Sequence, residues 1–185
     1  MKFSNKYLLA MLVFPFLAIV SCNTGNNNVA VDNENYSYQD VKSPKDMKDM
    51  NRELIDMQDE MIKSYITRRK WDMQQTKTGL YYQIYHTSPS GVMPVVGKKA
   101  EFAYKTYLLD GTLIYSSDST GNREMLIGHN TEETGIDEGL RMLHVGDKAR
   151  FILHPHLAYG VPGDGHKVPY RAILVYDIEL INVND

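Results

Sequence analysis

From Gly79 onward the chain is cut into short alternating runs by Asp-Gly and glycine turns, with room for one short helix, and a chain so divided closes as an antiparallel sheet. Leu80, Tyr82 and Ile84 fall on one side of a first strand, and Tyr81, Gln83 and Tyr85 on the other. Ser88-Pro89-Ser90-Gly91 turns it. Phe102, Tyr104, Thr106 and Leu108 alternate along a second strand, Asp110-Gly111 turns, and residues 112–116 return, which predicts a hairpin. Ile136, Leu140 and Leu143 mark the inner face of the helix. After Val145-Gly146-Asp147, a strand over 148–154 sets Ala149, Phe151 and Leu153 against Arg150, Ile152 and His154. Residues 155–170 carry Gly160, Gly163, Gly165, Pro162 and Pro169, so neither strand nor helix is expected there, and connections of that length are commonly functional. Residues 172–182 supply the last strand. The predicted class is α+β: an antiparallel β-sheet with one short helix, and an N-terminal helical extension.

That extension starts at Ser43-Pro44-Lys45-Asp46, where Ser can cap free amides, Pro is pre-set for the first helical position and Asp can close a capping box. Met47, Met50, Leu54, Met57 and Met61 then recur at alternating steps of three and four, flanked by Ile55, Ile62 and Ile66. The helix is expected to end at 68–70. Its Met-rich stripe suits either docking, including a homodimer through residues 47–61, or folding onto its own domain. Trp71 just beyond it is expected to anchor the junction. Further upstream, Met1-Lys2, Lys6 and an apolar run over residues 7–20 form a signal peptide, too short for a comfortable membrane span. Ile19-Val20-Ser21-Cys22 resembles a bacterial lipobox, in which the thiol of Cys22 becomes a thioether to diacylglycerol and the mature chain begins there. Residues 23–40, rich in Asn, read as a tether. The expected organisation is a signal peptide over 1–21, a tether over 22–42, a helical extension over 43–78 and a domain over 79–185.

A net charge of −3, with no basic block, argues against nucleic acid as a partner. One cysteine excludes an intrachain disulfide. His154-Pro155-His156, with His144 and His166, offers no recognisable metal geometry and reads as solvated loop histidines, so no metal or other cofactor is expected. Asp137-Glu138 read as carboxylates favourable to a helix start, and Ser116-Ser117-Asp118-Ser119 has no histidine placed for a triad.

In order and spacing, Asp110-Gly111, Gly128, Gly135-Ile136-Asp137-Glu138-Gly139-Leu140, Val145-Gly146-Asp147, Ala158-Tyr159-Gly160 and Ala172-Ile173-Leu174-Val175-Tyr176-Asp177-Ile178-Glu179-Leu180 resemble an FKBP-type peptidyl-prolyl isomerase domain. With the lipobox, tether and helix ahead of it, the chain looks most similar to the lipoprotein branch of gliding bacteria, the gliding-motility-associated isomerase family. The resemblance implies a curved antiparallel β-sheet wrapped on one short helix, and a cis-trans isomerase acting on proline-containing unfolded or extended polypeptides. It places pocket positions on Tyr104, Ile114, Tyr115, Arg123, Met125, Glu132, Glu133, Ile136, Tyr159, Val168 and Tyr176. Of these, Tyr159 would offer its phenol to the substrate carbonyl, Tyr104 and Tyr176 would stand as aromatic walls, and Val168 would fill a lid position. Four departures stand out: Ile136 replaces a Trp floor, Ile114-Tyr115 a Phe-Asp pair, Arg123 an aromatic wall, and Glu132-Glu133 two aliphatic residues. They imply weak macrolide binding. The resemblance also implies folding assistance to exported proteins from a membrane held by Cys22, with the outer membrane facing the periplasm as the expected location. A non-catalytic chaperone or adaptor of the same fold is the alternative.

Overall fold

The alternating runs form an antiparallel sheet of seven strands among the described residues, which in this computed structural model are 44–89, 91–129 and 133–184. The signal segment, the tether with Cys22, Ser43 and Glu132 lie outside them. The described residues belong to one compact unit, Val41–Asp185. In chain order the elements are α1 (Pro44–Arg69), β1 (Gln74–Gln75), β2 (Tyr81–His86), β3 (Lys99–Leu108), β4 (Leu113–Ser116), α2 (Ser117–Thr120), β5 (Arg123–Leu126), α3 (Thr134–Leu140), β6 (Lys148–Leu153), a 3₁₀ turn (Pro155–Leu157) and β7 (Leu174–Asn184). Across the sheet the order is β1-β2-β6-β7-β3-β4, with β5 also paired to β3. The antiparallel curved sheet, short inner helix and N-terminal helix agree with the predicted class. Sequence periodicity passes over β1, α2 and β5 because two to four residues are too few to show a period. One expectation is corrected: within residues 155–170, Pro155–Leu157 make a 3₁₀ turn. Pro155 is pre-set for it, and the N–H groups of Leu157 and Ala158 return to the carbonyls of His154 and Pro155 at 2.9 and 3.0 Å.

The sheet buries both faces. On the inner face α3 packs Ile136 and Leu140 against Phe102, Phe151, Leu153, Leu174 and Leu180, all fully buried. Each such side chain contributes about 1.5–3 kcal/mol by leaving water. Gly139 sets how closely α3 approaches β6, since a Cβ there would lie 2.6 Å from Cε2 of Phe151. On the outer face the second half of α1 seats Ile62 and Tyr65 on Tyr81, Ile152, Ile173 and Val175, and Trp71 packs at the junction. Arg150 lies 4.7 Å from the Trp71 ring and 4.4 Å from that of Tyr85. The helix therefore folds onto its own domain by the line through Ile62 and Ile66, while Met47, Met50, Met57 and Met61 are each about half exposed, the last two along a groove shared with Leu108 and Leu109.

Alternation along β6 also corrects the reading of one histidine. His154 is 2% exposed, because it falls on the same face as Ile152, beneath α1. Its Nε2 lies 3.5 Å from Oδ1 of Asp59, and its ring stacks on His156 at 5.6 Å. Asp59 also accepts the Tyr81 hydroxyl at 2.6 Å and pairs with Lys63 at 2.8 Å, which makes a polar post under the helix. Burial, helped by His156 and opposed by Asp59, lowers the His154 pKa below its ordinary value. The folded state thus binds this proton less tightly than the unfolded chain. Its contribution is complete above pH ~6.5 and is lost as the pH falls from there toward the folded value, with a slope of at most about 1.4 kcal/mol per pH unit. The urea midpoint is expected to drop between pH 7 and 5 in the parent and to stay flatter in His154→Gln; equal slopes would rule out His154 as the source.

Candidate active site

Five segments converge on the mouth of the sheet: β3 brings Tyr104, β4 brings Ile114 and Tyr115, β5 brings Arg123 and Met125, α3 and the residue before it bring Ile136 and Glu133, and the long connection brings Tyr159 and Val168. Tyr176 rises from β7 between them. Tyr104, Ile114, Met125, Ile136, Val168 and Tyr176 are buried members of one cluster, against which Tyr115 and Tyr159 pack half-buried. Beside Tyr159 opens a cleft of about 540 Å³, lined also by His156, Ala158, Gly160, Pro162, Gly163 and Asp164. Glu132 lies outside the described residues.

The polar side chains among these residues are paired with one another. Glu133 is 2% exposed, accepts the Tyr176 hydroxyl at 2.5 Å through Oε1 and forms an ion pair with Arg123 through Oε2. Burial works against the Arg123 charge, but Glu133 more than compensates and holds the guanidinium protonated. That guanidinium lies 5.6 and 5.5 Å from the Phe102 and Tyr104 rings. Burial, with the Glu133 carboxylate next, pushes the phenols of Tyr159 and Tyr176 well above their ordinary pKa. Both stay neutral: Tyr176 donates its proton to Glu133, and the Tyr159 hydroxyl lies within hydrogen-bonding reach of the same carboxylate and of Tyr176. Tyr104 places its hydroxyl 3.1 Å from Oγ1 of Thr120, at the one-turn α2.

Tyr115 turns toward the long connection, where its hydroxyl donates to Oδ2 of Asp164. This hydrogen bond, with burial second, pushes the Tyr115 phenol up to about 12. Burial of Asp164 opposes its charge, yet the Tyr115 hydroxyl and the backbone N–H groups of His166 and Val168 hold its carboxyl below the usual range. Sequence reasoning did not single out Asp164. An Asp-Gly-His string inside a glycine-rich loop is its signal, since Asp readily accepts amides two residues on. Asp137, expected only to favour a helix start, is 5% exposed, accepts the Gly128 N–H at 2.6 Å and pairs with Arg141 at 2.9 Å, so it ties the approach to α3 onto the helix.

Comparison with known proteins gives this geometry a family. Residues 91–181 match the family described as FKBP-type peptidyl-prolyl cis-trans isomerase. The human peptidyl-prolyl cis-trans isomerase FKBP9 is 37% identical over 100 residues, covering 54% of this chain and 18% of that protein, so the chain spans about a fifth of its length. FK506-binding protein 2 of Dictyostelium discoideum is 37% identical over 89 residues, covering 48% of this chain and 67% of that protein. Among solved structures, FkpA from Escherichia coli superposes with a TM-score of 0.61 at 26% identity, over 75% of this chain and 64% of that one. With the fold, the match over 91–181 and a relative of which it covers two thirds, the chain belongs to the FKBP-type peptidyl-prolyl cis-trans isomerase family.

Proposed function

We propose that the protein is a peptidyl-prolyl cis-trans isomerase that assists the folding of exported proteins from a membrane-tethered position. The observation that carries this is the half-buried Tyr159, which lines an open cleft with Ala158, Gly160 and Pro162 and packs against the apolar cluster that holds Ile136, Val168 and Tyr176. Rotation about an Xaa-Pro bond is slow because amide resonance must be broken, a barrier of roughly 18–20 kcal/mol. No nucleophile is required. A dry wall against the proline ring disfavours the charge-separated planar amide relative to the twisted one, and a donor to the substrate carbonyl fixes the peptide's shape. Tyr159 is that donor, and each ~1.4 kcal/mol of preference for the twisted state gives about tenfold in rate. Substrates are unfolded or extended chains with an apolar residue before Pro. The lipobox supports attachment of Cys22 to lipid, on an outer membrane facing the periplasm and within a gliding-motility-associated branch.

The test is proline-limited refolding of a model substrate by a soluble form beginning at Asn23. Acceleration is expected, together with a loss of about tenfold in Tyr159→Phe, and in cells the full chain should sediment with membranes while Cys22→Ser does not. The Arg123–Glu133 pair favours a second reading, because a charged wall is less dry than an apolar one. On that reading the cleft holds chains without catalysis. An untouched slow phase, with unfolded chains still bound, would select it.

A further inference from the structure

The long connection between β6 and β7 carries two residues of the proposed site, Tyr159 and Val168, yet between them it has few apolar anchors: Val161, Pro162, His166 and Lys167 are exposed. Its shape is set by Asp164. One carboxylate oxygen, Oδ1, accepts the backbone N–H groups of His166 at 2.8 Å and Val168 at 2.7 Å, closing the loop upon itself. Gly163, at φ +70°, makes the tight approach possible, since a Cβ there would stand 2.1 Å from the Val168 carbonyl oxygen. The other oxygen, Oδ2, takes the hydroxyl of Tyr115 on β4. A second tie runs alongside, from Nζ of Lys167 to the Ile114 carbonyl at 3.2 Å, with the ammonium 5.2 Å from the Tyr115 ring.

From this we infer that Tyr115 and Asp164 form a latch that holds the connection against β4 and so positions Val168 and Tyr159 for a proline-containing chain. The inference rests on the proposed isomerase site and deepens it, making Tyr115 a positioning residue that acts through the loop. The latch joins two half-buried side chains at the edge of the core, so opening it leaves the buried cluster of Phe102, Ile136 and Phe151 in place. Opening releases Val168 from the edge of the buried cluster and moves Asp164, with Pro162 and Gly163, which border the 540 Å³ cleft.

Tyr115→Phe keeps the ring and removes only the hydroxyl, and Asp164→Asn keeps an acceptor for the two amides while removing the charge. Each is expected to lower kcat/KM on a short Leu-Pro peptide by about tenfold, chiefly through KM, and to speed hydrogen exchange at the His166 and Val168 amides by a similar factor, the worth of one charge-assisted hydrogen bond. The urea midpoint should fall by no more than that same tenfold, ~1.4 kcal/mol, implies, short of the loss a core truncation would give. The double variant should be no worse than either single, since both break one contact. Unchanged exchange in Tyr115→Phe, or losses that add in the double variant, would overturn the latch. If the parent does not accelerate isomerisation at all, the isomerase reading fails on its own, and exchange at those two amides still decides the latch.

Discussion

Glu133→Ala is expected to cost about 3–5 kcal/mol of folding stability, the range for removing one partner of a buried ion pair, and to lower Tm by roughly 10 °C or more. The truncation strips the acceptor used by both Arg123 and the Tyr176 hydroxyl, and leaves a guanidinium against the Phe102 and Tyr104 rings with no carboxylate to balance it. Such a loss is a large part of a typical domain's 5–15 kcal/mol. Glu133→Gln, which keeps an acceptor and the shape, should fall between. The pair itself need not be stabilising, because two charges leave water to form it. Hence Glu133→Val combined with Arg123→Phe should recover most of the stability lost by Glu133→Ala, and a drier wall should raise isomerisation above the parent. A thermal scan in which Glu133→Ala melts with the parent would remove the pair from this account.

Exchanging Met57 and Met61 for Glu is expected to halve the solution mass. Met47, Met50, Leu54, Met57 and Met61 keep the three-four spacing of a coiled-coil seam, yet the domain is packed by a different line of the same helix, through Ile62 and Tyr65. Leu54, Met57 and Met61 line one side of a groove of about 400 Å³ whose other side is Leu108, Leu109, Pro169 and Ile173. We propose that a second copy of the chain covers it, helix against helix. Sedimentation equilibrium should find a dimer in the parent and a monomer in the double variant, with the variant's urea midpoint at high dilution equal to the parent's. A parent that is monomeric at every concentration would dismiss the dimer.

How much of this was legible beforehand depended on the distance between partners. Strand faces follow a period of two, so Phe102, Phe151 and Leu153 could be assigned to the core from neighbours within a few residues. The turns at Asp110-Gly111 and Val145-Gly146-Asp147 carry their geometry in their own side chains. The site was legible only as positions. Arg123 and Glu133 stand out in the sequence as two separate polar substitutions, and their cancellation depends on β5 and the approach to α3 meeting across ten residues of chain. Asp164 and Tyr115 are 49 residues apart, and Asp59 lies on α1 while His154 follows β6, so no local pattern announces either contact. Helix amphipathicity left the use of the Met stripe open: α1 packs by a neighbouring face, because the sheet's outer surface offers Tyr81, Ile152 and Val175 to Ile62 and Tyr65.

The place of β7 bears on how the protein comes into being. It is the last strand in chain order and lies between β6 and β3, pairing with β3 from Lys99↔Asn184 to Leu108↔Leu174 and with β6 from Lys148↔Glu179 to Leu153↔Leu174. Without it the sheet is two unconnected halves, β1-β2-β6 and β5-β3-β4, each with an open edge. Synthesis delivers a chain from its N-terminus, so the two halves stay unjoined until β7 has emerged, and loop-closure entropy makes such distant pairing slow. A protein proposed to hasten the folding of others is thus itself committed to a late assembly, with the edges of β6 and β3 open to mispairing meanwhile.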